Sequence, residues 1–166
     1  MPVQDPADGQ RPDRGGITSL CFASIGLAIS IYLTIEHYSG STALACPENA
    51  AINCAKVTTS TWSRLGGIPV AVLGLAYFAV MTLLVLPSVW RRHLLDPVRV
   101  AGAAAGMAMV IYLLWAELFR VGAICLWCTA VHVCTLGLLF VTILWHTAAR
   151  STATGHSRFK SENSRK

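Results

Sequence analysis

The sequence predicts an all-α integral membrane protein: a four-helix bundle with an extracytoplasmic loop that carries a short surface helix. Three observations predict it. The 166-residue chain is 54% apolar and only 13% charged, with mean hydropathy +0.56, whereas a soluble domain charges about a quarter of its residues. The apolar residues gather into four runs free of Asp, Glu, Lys and Arg: Gly15 to Ile35, Leu65 to Trp90, Val100 to Ala116 and Val121 to Ala149. The basic residues are segregated among the segments that join those runs.

Each run approaches or exceeds the ~20 apolar residues that span a bilayer at a rise of ~1.5 Å per residue. Transmembrane helices are therefore expected over 17–38, 68–89, 99–119 and 124–145. The first is not a cleaved signal peptide: it exceeds an h-region of ~7–15 residues, and its leader is acidic as well as basic. Residues 1–16 and 146–166 are polar and hold few large apolar groups to repay the entropy of ordering. They read as tails flanking a single domain over 17–145.

With the N-terminus inside, ten of the 13 Lys and Arg residues fall on inside segments, and only Lys56, Arg64 and Arg120 fall outside. That bias puts both termini in the cytoplasm. It also accounts for the net charge of +5 and argues against nucleic-acid binding.

The connectors at 90–98 inside and 120–123 outside are short; the loop 39–67, outside, is long. Long loops without secondary structure usually carry function. Within it TTSTWSRLG opens on hydroxyl residues and ends in a glycine pair, which predicts a short amphipathic helix at the membrane surface with Trp62 as interfacial anchor. Gly102 and Gly106 form GxxxG in AGAAAGMA, expected to let helices approach inside one bundle rather than to drive dimerisation. A monomer is expected.

Of six cysteines, Cys46 and Cys54 lie in the outer loop, while Cys125 and Cys128 open helix four at its outer end. All four face the side where disulfides persist. In CLWC the sulfurs stand at i and i+3 on one helical face, a separation that a disulfide can close. Unpaired N–H groups and the positive dipole of a helix N-terminus favour thiolate over thiol. Cys125 gains most and is the one expected to exchange, with Cys128 deeper in the bundle. A zinc site of four thiolates is disfavoured by the seven-residue spacing of the first pair, and c-type haem attachment by Thr129 where histidine is required. Cys21 and Cys134 read as small apolar residues.

The loop pair seven residues apart, Ser60, the stretch W-S-x-x-G-G-I-P from Trp62 to Pro69, and CLWC at the start of helix four together resemble the bacterial branch of the vitamin K epoxide reductase family. The resemblance covers nearly all of 17–145 and implies a bundle around a quinone (menaquinone, ubiquinone or a relative) in the bacterial plasma membrane. It implies that Cys125 and Cys128 are oxidised by the quinone, with Cys128 nearest to it. The loop pair would relay electrons from a reduced thioredoxin-fold (DsbA-like) partner that meets Cys46, Cys54 would exchange with Cys125, and Ser60 would organise the quinone site. Many bacterial members carry a fused thioredoxin-like domain. Only a polar tail follows the bundle here, so the partner is expected to be a separate protein. Animal members have Tyr four residues after CxxC where this chain has His132, and an Asn near helix two where it has IPVAV, so a respiratory quinone is favoured over an epoxide.

His132 lies one turn below Cys128 on the same face. At that depth it is expected either to serve a quinone oxygen or to bond a neighbouring helix. Glu36, His37 and Glu117 stand at outer helix ends, where solvated positions are expected; Glu117 is also a candidate for the quinone mouth. The rival reading is a non-enzymatic haem-binding or assembly subunit with structural disulfides, for which no axial histidine pair is available.

Overall fold

The computed structural model describes residues 11–39, 46, 49, 51–90 and 92–163. Residues 1–10 of the expected N-terminal tail, loop positions 40–45, and the counted charges Arg91, Arg165 and Lys166 lie outside the described residues. The chain forms α1 (Arg11–Ser39), α2 (Cys54–Thr58), the short strands β1 (Arg64–Leu65) and β2 (Ile68–Pro69), α3 (Val70–Val85), α4 (Pro87–Trp90), α5 (Asp96–Trp115) and α6 (Leu126–Asn163).

Three stretches are long and apolar enough to cross a membrane: Gly15–Ser39, Asp96–Val121 and Leu126–Thr147. Val70–Val85 is apolar but shorter. The single helix expected over 68–89 is interrupted, because a residue before proline is driven out of the helical region. Leu86 accordingly sits at φ −54°, ψ 140° ahead of Pro87, and the helix restarts as α4. Helix α6 runs past the apolar run to Asn163, and α1 starts at Arg11. Extending an existing helix costs little per residue once the nucleus is formed, so helical structure outlasts the burial that the hydropathy argument measures.

The break after α3 is fastened by one buried cation. Arg99, on α5 and 2% exposed, donates through Nε to the Leu84 carbonyl at 2.9 Å and through a guanidinium nitrogen to the Val89 carbonyl at 2.6 Å. It also pairs with Asp96 and lies over the Trp90 ring at 4.9 Å. The Leu84 carbonyl is among the last of α3, which have no intrahelical donor.

Helix α1 packs on α3 and α6, and α5 packs on α6 and more sparsely on α3. Helices α3 and α6 therefore face each other across one diagonal. Ala23, Phe78, Met81, Val85, Ala103 and Leu138 form the core, with Cys134 among them as a small apolar residue. Glycines admit the larger side chains. A Cβ at Gly26 would lie 2.2 Å from the Phe78 ring, at Gly102 3.0 Å from Met81 Sδ, and at Gly106 2.4 Å from the Tyr77 hydroxyl. The GxxxG pair thus receives side chains of α3. Outward faces carry exposed Ile25, Ile35, Leu83, Ile111, Leu136 and Phe140, an apolar exterior that suits lipid.

The loop departs from expectation. Its α-helix precedes the hydroxyl run, capped by Asn53, whose side chain accepts from the Lys56 N–H at 2.8 Å. Ser and Thr hydroxyls compete with helical bonding by turning back onto carbonyls. Here Thr59 bonds Ala55 O at 2.7 Å, Ser60 bonds Val57 O at 2.8 Å and Ser63 bonds Thr58 O at 2.7 Å. Only a 3-10 turn, Thr61–Ser63, remains where the surface helix was expected. Gly66 and Gly67, at φ +58° and +86°, then turn β1 onto β2.

Arg99→Met leaves the Leu84 carbonyl without its donor and takes from the Val89 carbonyl one of two donors, the other being the Arg92 N–H. Leaving a buried acceptor without its donor costs about 1–3 kcal/mol, so the thermal midpoint of the detergent-solubilised variant is expected to fall, with Arg99→Lys falling less.

Candidate functional site

Cys46 and Cys54 are joined by a disulfide; Cys125 and Cys128 are free thiols. Short-range backbone chemistry brings the pairs together. Asn49 holds a turn, its side chain accepting from the Ala51 and Ile52 N–H groups at 2.9 and 2.8 Å. The next residues pair in parallel with the segment before α6: the Ile124 N–H donates to Ala51 O at 2.9 Å, and the Asn53 N–H donates to Ile124 O at 3.1 Å. Cys54 follows Asn53 and Cys125 follows Ile124, so the register carries the two sulfur-bearing residues to one place. Both are fully buried in a cluster with Val57 and Ala123, against which Cys46 and Cys128 pack.

Cys125 precedes the first residue of α6 and occupies its N-cap. The Cys128 N–H donates to Cys125 Sγ at 3.3 Å, the bond that a Ser or Thr cap makes to the third helical residue. A donor aimed at the sulfur and the positive end of the helix both favour negative charge there. Between the cysteines, Trp127 packs its ring on Tyr32 of α1 with centroids 5.0 Å apart.

Beneath the loop lies a cavity of about 300 Å³, walled by apolar residues such as Leu73, Phe78, Met109 and Val110. Among the described cysteines Cys128 lines it. Three polar residues project into this apolar space: Tyr77 Oη, Glu117 Oε2 and both ring nitrogens of His132 are buried with no hydrogen-bond partner in the protein. Leaving such a group unpaired costs about 1–3 kcal/mol each, so the chamber is built for something that brings hydrogen-bonding atoms.

Glu117 is 3% exposed, not solvated as a helix-end position suggests. The chain after α5 widens into a π-turn over Ala116–Val121, closed by Gly122 at φ +64°, whose N–H donates to Glu117 O at 2.9 Å. The turn points the carboxylate inward, where the Cys125 backbone N–H meets it and where it acts electrostatically on both thiols. His132 is 4% exposed and bonds no neighbouring helix. Ser60 lines the chamber with its hydroxyl turned to Val57 O. Trp62 is not an isolated interfacial anchor. It roofs the cavity, packed edge-on against Trp115 at 5.6 Å, with the Arg120 guanidinium 4.5 Å above its ring.

That the Tyr77 hydroxyl is buried without a partner escapes a reading of sequence, since a tyrosine inside an apolar run patterns as phenylalanine does. The π-turn also escapes it, although a glycine shortly after ELFRV marks where a left-handed residue ends the helix.

Because sulfur serves as the cap, Cys125→Ala is expected to destabilise the protein by about 1 kcal/mol relative to Cys125→Ser. Thermal unfolding of the two variants in detergent measures the difference, free of any contribution from thiol chemistry.

Comparison with the curated proteins found no match. The model of the family described as Vitamin K epoxide reductase family matches residues 17–143, a span that contains the disulfide, the CxxC pair and the cavity. The chain therefore belongs to the vitamin K epoxide reductase family, a family of membrane thiol oxidoreductases.

Proposed function

We propose that this chain is a quinone-dependent thiol oxidoreductase that re-oxidises a thioredoxin-fold (DsbA-like) thiol oxidase for disulfide formation outside the cytoplasm. The observation that carries the reading is the continuity of sulfur. Cys46 is bonded to Cys54, Cys54 is buried with Cys125, and Cys125 shares a helical turn with Cys128, which lines the apolar cavity. Both termini lie in the cytoplasm of a bacterial plasma membrane, α3 with α4 makes the fourth crossing, and the cysteine end faces outward, as the basic residues require. The protein works as a monomer in the bilayer.

The partner's thiolate attacks Cys46, the more exposed of the loop pair, and Cys54 leaves as thiolate; the partner's second thiol then frees Cys46 and departs oxidised. Cys54 attacks Cys125 of a Cys125–Cys128 disulfide and releases Cys128. Cys46 attacks Cys54 in turn, which restores the loop disulfide and frees Cys125. Each exchange breaks one S–S bond and forms one. A loop disulfide beside free Cys125 and Cys128 corresponds to the state in which the electrons have reached the CxxC pair.

The chamber fits a quinone head group: its volume falls at the lower end of small-molecule cavities, ~300–1,000 Å³, its walls are apolar, and its unpartnered polar atoms suit carbonyl oxygens. A quinone bound there, whether menaquinone, ubiquinone or a relative, supplies the sink for the two electrons and two protons that the thiols lose on closing. Each ~30 mV of potential difference favours the transfer about tenfold. Glu117, beside both sulfurs, would take up one thiol proton at a time and pass it on toward the head group. His132, one turn below Cys128, hydrogen-bonds the head group and hands a proton to it. Ser60 holds the roof over the site.

Cys125→Ala and Cys128→Ala are each expected to abolish oxidation of a reduced thioredoxin-fold oxidase by quinone, followed by quinone absorbance. Cys46→Ala and Cys54→Ala should lose that activity while sparing quinone reduction by a small dithiol. Loss of the dithiol reaction in the loop variants contradicts the relay. Independently, Cys128→Ala should accumulate a reducible Cys54–Cys125 disulfide, identified by mass spectrometry of the non-reduced protein; its absence contradicts exchange between that pair.

A further inference from the structure

We infer that Tyr77 is a second hydrogen-bond donor to the quinone head group and grips the carbonyl oxygen on the side opposite His132. The inference rests on the quinone reading above and assigns the polarity of the far wall of the chamber.

The Tyr77 hydroxyl is buried and unpartnered, and the residue lines the cavity. Phenylalanine would fill the same volume without leaving a donor stranded in an apolar wall. The space for the oxygen itself is provided by Gly106: a Cβ there would lie 2.4 Å from the hydroxyl oxygen and 2.5 Å from the ring carbon that carries it. The glycine clears room for the polar tip of the side chain.

Position completes the argument. Tyr77 stands on α3 and His132 on α6, helices that face each other across the bundle, and the Tyr77 hydroxyl meets the chamber beside Gly106 of α5. Tyr77 is seven residues from the start of α3 and His132 is six from the start of α6. At ~1.5 Å per residue both stand ~10 Å below the same loop-capped end. Two polar groups at one depth on facing helices, with apolar surface between them, match a flat ring that carries oxygens on opposite edges.

The test is equilibrium binding of menadione to the full chain in detergent, with the CxxC pair oxidised so that no turnover occurs, read from quenching of tryptophan fluorescence. Tyr77→Phe is expected to weaken menadione binding about tenfold, the worth of one hydrogen bond in such a site. It should leave the binding of methylnaphthalene, which keeps the rings and lacks the oxygens, unchanged. Gly106→Ala, which displaces the hydroxyl, should weaken menadione in the same way. Equal menadione binding by wild type and Tyr77→Phe overturns the inference alone, as does equal weakening of both ligands, which would make the hydroxyl a matter of cavity shape. Failure of the wild-type protein to bind menadione overturns this inference together with the quinone reading.

Discussion

Two backbone hydrogen bonds, from Ile124 to Ala51 and from Asn53 to Ile124, hold the loop against the start of α6, and the rest of the site depends on that pairing. It sets the register in which Cys54 and Cys125 become neighbours, and it closes the loop over the cavity beneath. The spacing of the first cysteine pair follows from the same requirement. Between Cys46 and Cys54 the chain must fit the Asn49 turn, the paired stretch Ala51–Asn53 and the cap of α2. A closer pair of cysteines leaves no room for the strand that does the docking. Asn53 serves twice, its backbone in the pairing and its side chain in the cap.

A bundle with an apolar exterior gains little from hydrophobic contrast with lipid, so its helices associate through close packing and buried polar bonds. Both devices occur here. Gly26, Gly102 and Gly106 let aromatic and sulfur-bearing side chains sink into neighbouring helices. Arg99 bonds one carbonyl on each side of the break at Pro87, those of Leu84 and Val89, and ties α3, α4 and α5 together. At the cysteine end Tyr77 Oη, Glu117 Oε2 and the ring nitrogens of His132 are left without partners. Among the described residues these three groups line the chamber that Cys128 also lines.

The roof joins these halves. Trp62 from the loop, Trp115 from the end of α5 and Arg120 from the π-turn stack on one another, so the loop is tied to the same turn that aims Glu117 inward. A helix of regular pitch continuing through residues 116–121 would leave no such turn. The π-turn and its closing glycine therefore shape both the lining and the cover of the cavity.

Much of this was legible in the sequence. Charge-free apolar runs follow from the cost of burying charge in lipid, and they located three of the helical stretches to within a few residues. Cysteine spacing and the residues around Trp62 pointed to thiol chemistry and to the family, because the pairing that brings Cys54 beside Cys125 and the turn at Gly66–Gly67 both demand particular residues at particular separations. What the sequence could not decide was whatever depends on contacts between distant segments. Pro87 breaks a run that hydropathy reads as continuous, since composition is blind to backbone hydrogen bonding. The hydroxyls of TTSTWS turn onto their own carbonyls instead of supporting a surface helix. Arg99 counts as one more flanking charge until its acceptors are seen around it. Glu117 and Tyr77 show the limit most plainly: nothing local distinguishes a solvated carboxylate or a filler ring from groups facing an apolar chamber. Only the packing of the helices and the loop decides which polar atoms lose their water.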